Sequence, residues 1–375
     1  MSIDRAKEIL GTDNIKEFSA EDTFNPGNTL SGVICYTPNN LYGRLVLFQV
    51  NDEPCEQIIY TTPKLHYPFD KNGKFHWPPV EKFEFWEKID GTNVLAYHYS
   101  YKEKDFITFK TRLTPVMKDS ALVSFREMWI EYRNENTWID QVIEANPNYN
   151  LSFELYGSRN PITIKYDFPL EVALLFGVKR FNGNICPPSR LFRSGNVKTP
   201  GFMDGTQKDL TVIYNEMREA CSVKNAVELR SEGFVMYAHV GEPSWRMLKC
   251  KGEEIEQIHW TASGSIPGLS IRNTAVNVFE DRDNPTVDDL IVLLKEEYSN
   301  ELINKSMIKI GKAWDWAVEL MALTKKVNEV WKIAKEQGFD VTKDKGATMR
   351  FISQYFEKKI MSRVGGIVLK QAGLL

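Results

Sequence analysis

Apolar and polar residues alternate in short runs over the first two thirds of this chain and recur at helical spacing over the last third. Ser2 ahead of Asp4-Arg5-Ala6-Lys7-Glu8-Ile9-Leu10, closed by Gly11, predicts a short capped helix. From there to Lys82 the pattern is strand-like: residues 32–36, 44–50 and 57–61 are β-rich runs separated by turn residues such as Pro38-Asn39-Asn40 and Asn51-Asp52. Residues 94–100 and 105–110 read as the two strands of a hairpin. Residues 120–145 have helical spacing, with Leu122, Phe125, Trp129, Tyr132 and Ile139 inward. Further strands are expected at 151–157, 172–178, 230–237 and 246–251, with a helix over 206–220. After Pro285, residues 286–298, 301–337 and 347–370 are helical in pattern, the middle run carrying Trp314, Trp316, Leu320, Val327, Val330 and Trp331. The pattern predicts an α+β protein with an antiparallel β-rich body over residues 1–270 and a small all-helical domain over 271–375.

Composition adds bounds. The 375 residues are 42% hydrophobic and 12% aromatic, enough for a sizeable core. The formal net charge of -3 hides an uneven distribution. Residues 303–375 hold 14 Lys and Arg against 7 Asp and Glu, a net of +7, so the rest carries about -10. A basic tail domain suits a polyanion. The five cysteines (Cys35, Cys55, Cys186, Cys221, Cys250) are scattered and odd in number, which argues against a zinc site or disulfide scaffold and fits a reducing compartment. With no signal pattern and no apolar run of bilayer length, a cytoplasmic protein without a membrane partner is expected.

The candidate chemistry centres on Glu87-Lys88-Ile89-Asp90-Gly91-Thr92-Asn93, flanked by Phe83, Phe85, Val94 and Leu95. A strand ending in a lysine before a tight acid-glycine turn would hold that lysine at one place. A lysine attacks only as the neutral amine, so Lys88 is a candidate nucleophile; a surface lysine before a turn is the ordinary alternative. Arg44 reads as a strand-end charge or a phosphate contact. Lys110 and Arg112 suit a ribose or phosphate, or simply end a strand in solvent. Glu154 lies opposite Phe153 and Leu155 on its strand, facing either solvent or a polar cleft. Phe176 is core or a stacking platform. Lys249 and Lys251, two apart, project from one strand face and repel unless an anion lies between them, a solvated edge being the alternative.

In order, Lys-x-Asp-Gly-Thr-Asn, Phe-Glu-Leu-Tyr-Gly, Glu-Gly-Phe-Val and Leu-Lys-Cys-Lys resemble the motif series of the covalent nucleotidyltransferases, over roughly residues 40 to 260. Within that superfamily the chain looks most like the bacteriophage-type ATP-dependent RNA ligases. The resemblance implies an ATP-grasp-like nucleotidyltransferase domain followed by the helical domain. It implies that Lys88 forms lysyl-AMP, that AMP passes to an RNA 5′-phosphate, and that an RNA 3′-hydroxyl displaces it, in RNA or tRNA repair. Lys249 and Lys251 would hold the α-phosphate. Glu232, with Glu154, would bind Mg²⁺, or Mn²⁺ in its place. Glu87 would read the adenine edge, Phe176 stack on adenine, Arg112 or Lys110 meet ribose or phosphate, and Arg44 touch the outgoing phosphates. A separate end-healing kinase-phosphatase would be a partner, and a phage source would put the protein in the host cytoplasm. DNA ligases and capping guanylyltransferases, the alternative enzymes, usually carry a β-barrel where this chain predicts helices. The further alternative is a non-catalytic nucleotide- or RNA-binding protein.

Overall fold

The computed structural model describes residues 3–37, 39–70, 73–118, 125–160, 164, 166–193, 196–204, 209–221, 233–241, 244–251, 265–266, 268–282 and 284–372. Its strands are β1 (Ile15–Glu21), β2 (Thr29–Cys35), β3 (Leu45–Val50), β4 (Glu53–Ile59), β5 (Lys82–Lys88), β6 (Thr92–Tyr101), β7 (Lys104–Lys110), β8 (Tyr149–Tyr156), β9 (Glu171–Lys179), β10 (Ile185–Cys186), β11 (Phe202–Asp204), β12 (Gly233–His239) and β13 (Trp245–Cys250). They form three antiparallel sheets, ordered β1-β2-β3-β4, β10-β9-β8-β6-β7 and β11-β5-β12-β13. The fold is α+β, as the alternation predicts.

The first sheet is a meander. Asn51 and Asp52 both take left-handed backbone, φ 52° and 63°, the geometry a two-residue hairpin turn needs, so β4 begins at Glu53 rather than near residue 57. The edge strand β1 escaped the sequence reading because only Ile15, Phe18 and Ala20 give it apolar character. Helix α1 (Ile3–Leu10) buries Ala6 and Leu10 against Val33, Cys35, Val46 and Phe48.

One face of the second sheet is covered by α2 (Phe125–Glu135) and α3 (Trp138–Ala145), the rings of Trp129 and Trp138 lying 5.6 and 6.2 Å from that of Phe153. A single helix over 120–145 was expected. Instead the Asn136 amide donates to the Tyr132 carbonyl at 2.8 Å, and a side chain that competes for a carbonyl in this way favours a helix end.

The third sheet positions the site. Its one face packs on α4 (Leu210–Ala220): Tyr214 and Met217 meet Phe83, Phe85, Phe234, Met236 and Leu248. Asp209 caps this helix, accepting from the Thr211 and Val212 N–H groups. The opposite face packs on the second sheet, where Trp86, Tyr237, Trp245 and Met247 join Phe176, Val178 and Ile185 in one cluster. Burying side chains of this size contributes about 1.5–3 kcal/mol each.

The chain divides into two compact units, Met1–Lys118 with Arg126–Thr261, and Asp119–Phe125 with Ala262–Leu375. The described part of the second unit after residue 262 is helical: α5 (Gly268–Asp281), α6 (Val287–Glu297), α7 (Asn300–Glu336), α8 (Lys345–Ile352) and α9 (Met361–Gln371). The 37-residue α7 spans about 55 Å. Its first half buries Leu302, Ile303, Ile310, Ala313 and Ala317 with Ile271, Ala275, Leu290 and Leu294; its second half buries Val327, Val330 and Ala334 with Ile352, Val364 and Val368. Helix α5 was not expected, and the run expected over 347–370 is broken by short 3₁₀ turns at Ser353–Tyr355 and Lys358–Ile360. Among the described residues no helix is long and apolar enough to cross a membrane.

Candidate active site

Strand alternation and register bring the lysines together. On β5, Lys88 shares a face with Trp86; on β13, Lys249 shares one with Trp245 and Met247, and Lys251 continues it. All three therefore lie on the side of the third sheet that packs on the second. Lys88 is paired with Gly233, and Phe234 with Cys250, so extending the register by one residue sets Gly233 between Lys88 and Lys251. The two lysine backbones are two strand spacings apart, about 10 Å. Gly233 has no room for a side chain: with φ 149°, a Cβ there would sit 2.4 Å from the Cys250 carbonyl oxygen. Lys249 and Lys251 are 7% and 6% exposed, and the Lys249 ammonium lies 4.5 Å from the Tyr67 ring centroid. They are buried lysines, not a solvated edge.

The second sheet supplies the facing acid. Glu154 is 9% exposed and pairs with Asn93, whose amide donates to Ser152 Oγ at 2.9 Å and to the Phe153 carbonyl at 3.0 Å. Burial pushes the Glu154 carboxyl up to about 7, while Lys88, Arg112 and the Asn93 amide pull it down and Asp90 pushes it further up. The cleft alternative for Glu154 is the one observed. Gly91 makes the approach: a Cβ on it would lie 2.4 Å from the Leu155 carbonyl oxygen and 3.0 Å from Glu154 Cγ. The turn after Lys88 is thereby laid directly on β8.

Asp90, 5% exposed, anchors Ile164 and Tyr166. Its Oδ2 accepts from the Ile164 N–H at 2.7 Å, and its own N–H donates to the Tyr166 hydroxyl at 3.0 Å. Sequence reasoning missed Tyr166, because nothing in the order of residues places a loop aromatic beside a motif 76 positions away.

The other expected site residues divide. Lys110, 1% exposed, donates to the Thr111 and Arg112 carbonyls at 2.8 Å each, so its ammonium shapes the turn that presents Arg112. Arg112 has a buried Nε with no partner among the described residues, and its guanidinium lies 5.9 Å from the Tyr42 ring centroid. Gly43, φ 76°, lets the loop before Arg44 dock on this turn, a Cβ there falling 2.1 Å from the Arg112 carbonyl oxygen. Arg44 stacks 4.5 Å from the Tyr60 ring centroid and likewise keeps a partnerless buried Nε. Glu87, on the opposite strand face from Lys88, accepts from the Gly201 N–H at 3.2 Å. Phe176 is 4% exposed within the inter-sheet cluster, its ring 6.4 Å from that of Tyr237, which is core packing. Glu232 lies outside the described residues. Among the described residues no three His, Cys, Asp or Glu side chains converge in a way that could hold a metal ion.

The site thus brings the charges of Lys88, Arg112 and Asp90 to bear on Glu154, with Lys249 and Lys251 buried on the Lys88 face of the third sheet.

No protein-family model and no curated protein matches this chain. Among solved structures it is similar to an archaeal ATP-dependent RNA ligase (form 2), 14% identical at a TM-score of 0.45 over 85% of this chain and 78% of that one. It is also similar to a putative ATP-dependent DNA ligase from Aquifex aeolicus, 14% identical at 0.44 over 87% and 81%. A mutant of the Naegleria gruberi RNA ligase with AMP and Mn is 14% identical at 0.35 over 47% of this chain and 51% of that one. At such identities the likeness is one of fold, and the functional reading rests on the residues of the site.

Proposed function

We propose that this chain is an ATP-dependent RNA ligase working through a lysyl-AMP intermediate. The observation that carries the reading is the convergence of Lys88, Lys249 and Lys251 on one sheet face around the bare Gly233, with the Glu154 carboxyl opposite. A binding protein would need the cations but not a lysine pinned between two sheets by Gly91 and Asp90.

In the first step Lys88, having lost its ammonium proton to solvent, directs the Nζ lone pair at the α-phosphorus of ATP. A P–N bond forms as the bond from that phosphorus to the pyrophosphate oxygen breaks, and the electron pair leaves with pyrophosphate. In the second an oxygen of an RNA 5′-phosphate attacks the same phosphorus and the P–N bond breaks, returning the pair to Nζ. In the third the RNA 3′-hydroxyl oxygen attacks the 5′-phosphorus, AMP leaves, and the hydroxyl proton is released. Each is an in-line displacement, so positioning and charge neutralisation supply most of the catalysis. Lys249 and Lys251 would cradle the α-phosphate and Arg112 would meet ribose or phosphate, with Lys110 holding its turn. Arg44 would contact the outgoing phosphates and Glu87 the adenine edge, while Phe176, buried in the inter-sheet cluster, would pack the core instead of stacking on adenine. A Mg²⁺ ion would be held by Glu154 with Glu232, substrate oxygens and water, the usual manner for a cation that keeps one or two carboxylates; bound there it neutralises phosphate charge.

RNA is favoured over DNA as the strand by the helical second unit, which stands where DNA ligases usually carry a barrel. Its lysines would meet phosphates in a salt-dependent way. The test is label transfer from α-labelled ATP to the denatured chain, beside Lys88→Ala, followed by sealing of RNA and DNA ends. Label from ATP that disappears in the variant, and joined RNA, are expected. A well-folded protein that takes no label from ATP or GTP with Mg²⁺ or Mn²⁺ overturns the reading.

A further inference from the structure

We propose that Tyr166 is a further catalytic residue of this site, its phenolic O–H donating to a non-bridging oxygen of the phosphate that Lys88 attacks. The proposal rests on the nucleotidyl-transfer reading above and names a contact that reading does not contain.

Tyr166 is held from two directions. The Asp90 N–H donates to its hydroxyl oxygen at 3.0 Å, and the Asp90 carboxylate accepts from Ile164 N–H two residues earlier, at 2.7 Å. Asp90 is itself two residues beyond Lys88, so the phenol is tied to the turn that fixes the lysine. The ring packs edge-on against Tyr156, centroids 5.1 Å apart, and 5.1 Å from Phe168. Tyr156 follows Glu154 by two positions on β8 and projects from the same strand face.

A phenol has one donor and room for two acceptor contacts. Here the Asp90 N–H occupies the acceptor side, and among the described residues the O–H of Tyr166 has no protein acceptor. The charges of Asp90, Glu154 and Lys88 all act on this phenol, and burial with the two carboxylates raises it to about 12, so the O–H keeps its proton at neutral pH. The half-exposed O–H, left to water in the ligand-free protein, is available to an acceptor that a ligand brings to the turn after Lys88. On the nucleotidyl-transfer reading the ligand at Lys88 is a phosphate, and a phosphoryl oxygen is the strongest acceptor it offers. The purely structural alternative, an aromatic packed on Tyr156 and Phe168, accounts for the ring and the acceptor contact and leaves the O–H to water; the experiment separates the two.

Tyr166→Phe keeps the ring and removes only the hydroxyl. The experiment follows lysyl-AMP formation at saturating nucleotide with ATP and with the two analogues in which sulfur, a poorer acceptor, replaces either non-bridging α-oxygen. Tyr166→Phe is expected to lower the labelling rate about 10- to 100-fold. One sulfur isomer should slow the wild type and make little further difference to the variant. Labelling of Tyr166→Phe at the wild-type rate overturns the proposal. So does a slowed variant that shows the wild-type sulfur effects with both isomers, since damage to loop packing would act equally on all three nucleotides. Failure of the wild-type chain to take any label overturns the ligase reading and this proposal with it, whereas a labelled wild type beside an unaffected variant removes Tyr166 alone.

Discussion

Replacing Glu154 by Gln should make the ligand-free protein more stable at neutral and alkaline pH while impairing lysyl-AMP formation. Burial in the inter-sheet layer raises this carboxyl from its usual 4.5 to about 7, against the pull of Lys88 and Arg112. At about 1.4 kcal/mol per pKa unit, the ionised form is disfavoured in the folded protein by about 3 kcal/mol. The sign follows from proton binding: the folded state keeps the proton to about pH 7 while the unfolded chain loses it near 4.5, so the unfolded state binds fewer protons in that window. Stability contributed at this position is therefore full below the lower value, falls as pH rises through the window, and is lost above the upper one. Glutamine has the same shape and no such titration. Urea unfolding of both proteins between about pH 4 and about pH 8 should show the variant gaining on the wild type by about 3 kcal/mol, most of it above about pH 5. His98, which burial holds down to about 4, contributes in the opposite sense, but it is present in both proteins and cancels in the comparison. A difference that stays flat with pH, or a wild type that gains on the variant as pH rises, would refute the reasoning. It would mean that Lys88 and Arg112 outweigh burial and that Glu154 is an ordinary ion-pair partner.

Gly233→Ala should destabilise the fold by about 1–3 kcal/mol in thermal unfolding, because its Cβ would meet the Cys250 carbonyl, and should cut lysyl-AMP labelling by at least about tenfold; unchanged labelling would break the register argument. Asp22→Asn should cost about 2–4 kcal/mol in chemical denaturation with the labelling rate of the folded protein unaltered. The fully buried Asp22 carboxylate accepts from Phe24 N–H, the Asn25 amide, Tyr99 and Thr108 at 2.7–3.0 Å, and an amide would turn one acceptor into a donor facing donors. Lys110→Met should raise the KM for ATP about tenfold, leaving the rate at saturation within about threefold, because it releases the carbonyls that shape the Arg112 turn without removing a group from the substrate.

The outline of the fold was legible because its cues are local. Short β-rich runs marked the β6–β7 hairpin, β8 and β13, a continuous apolar run marked β9, and the spacing of Trp314, Trp316, Val327 and Val330 marked α7. What escaped had weak or competing local signals: β1 is mostly polar, α5 follows residues whose pattern suggested a boundary, and Asn136 divides a helix whose apolar spacing runs straight through it.

The sequence by itself determined which residue types could act: a lysine before an acid-glycine turn, an acid inside an apolar strand, and two lysines on one strand face, each with a solvent-facing alternative. Only the tertiary structure decided among those alternatives, because burial and pairing depend on which strand lies opposite. The register of β5, β12 and β13 set Lys88, Gly233 and Lys251 in a row. The stacking of two sheets turned Glu154 inward and sent Phe176 into the core, and a hydrogen bond from Asp90 N–H ties Tyr166 to the turn after the lysine. A strand's own sequence states which side chains share a face; what that face meets is written in residues far along the chain, and packing alone joins the two.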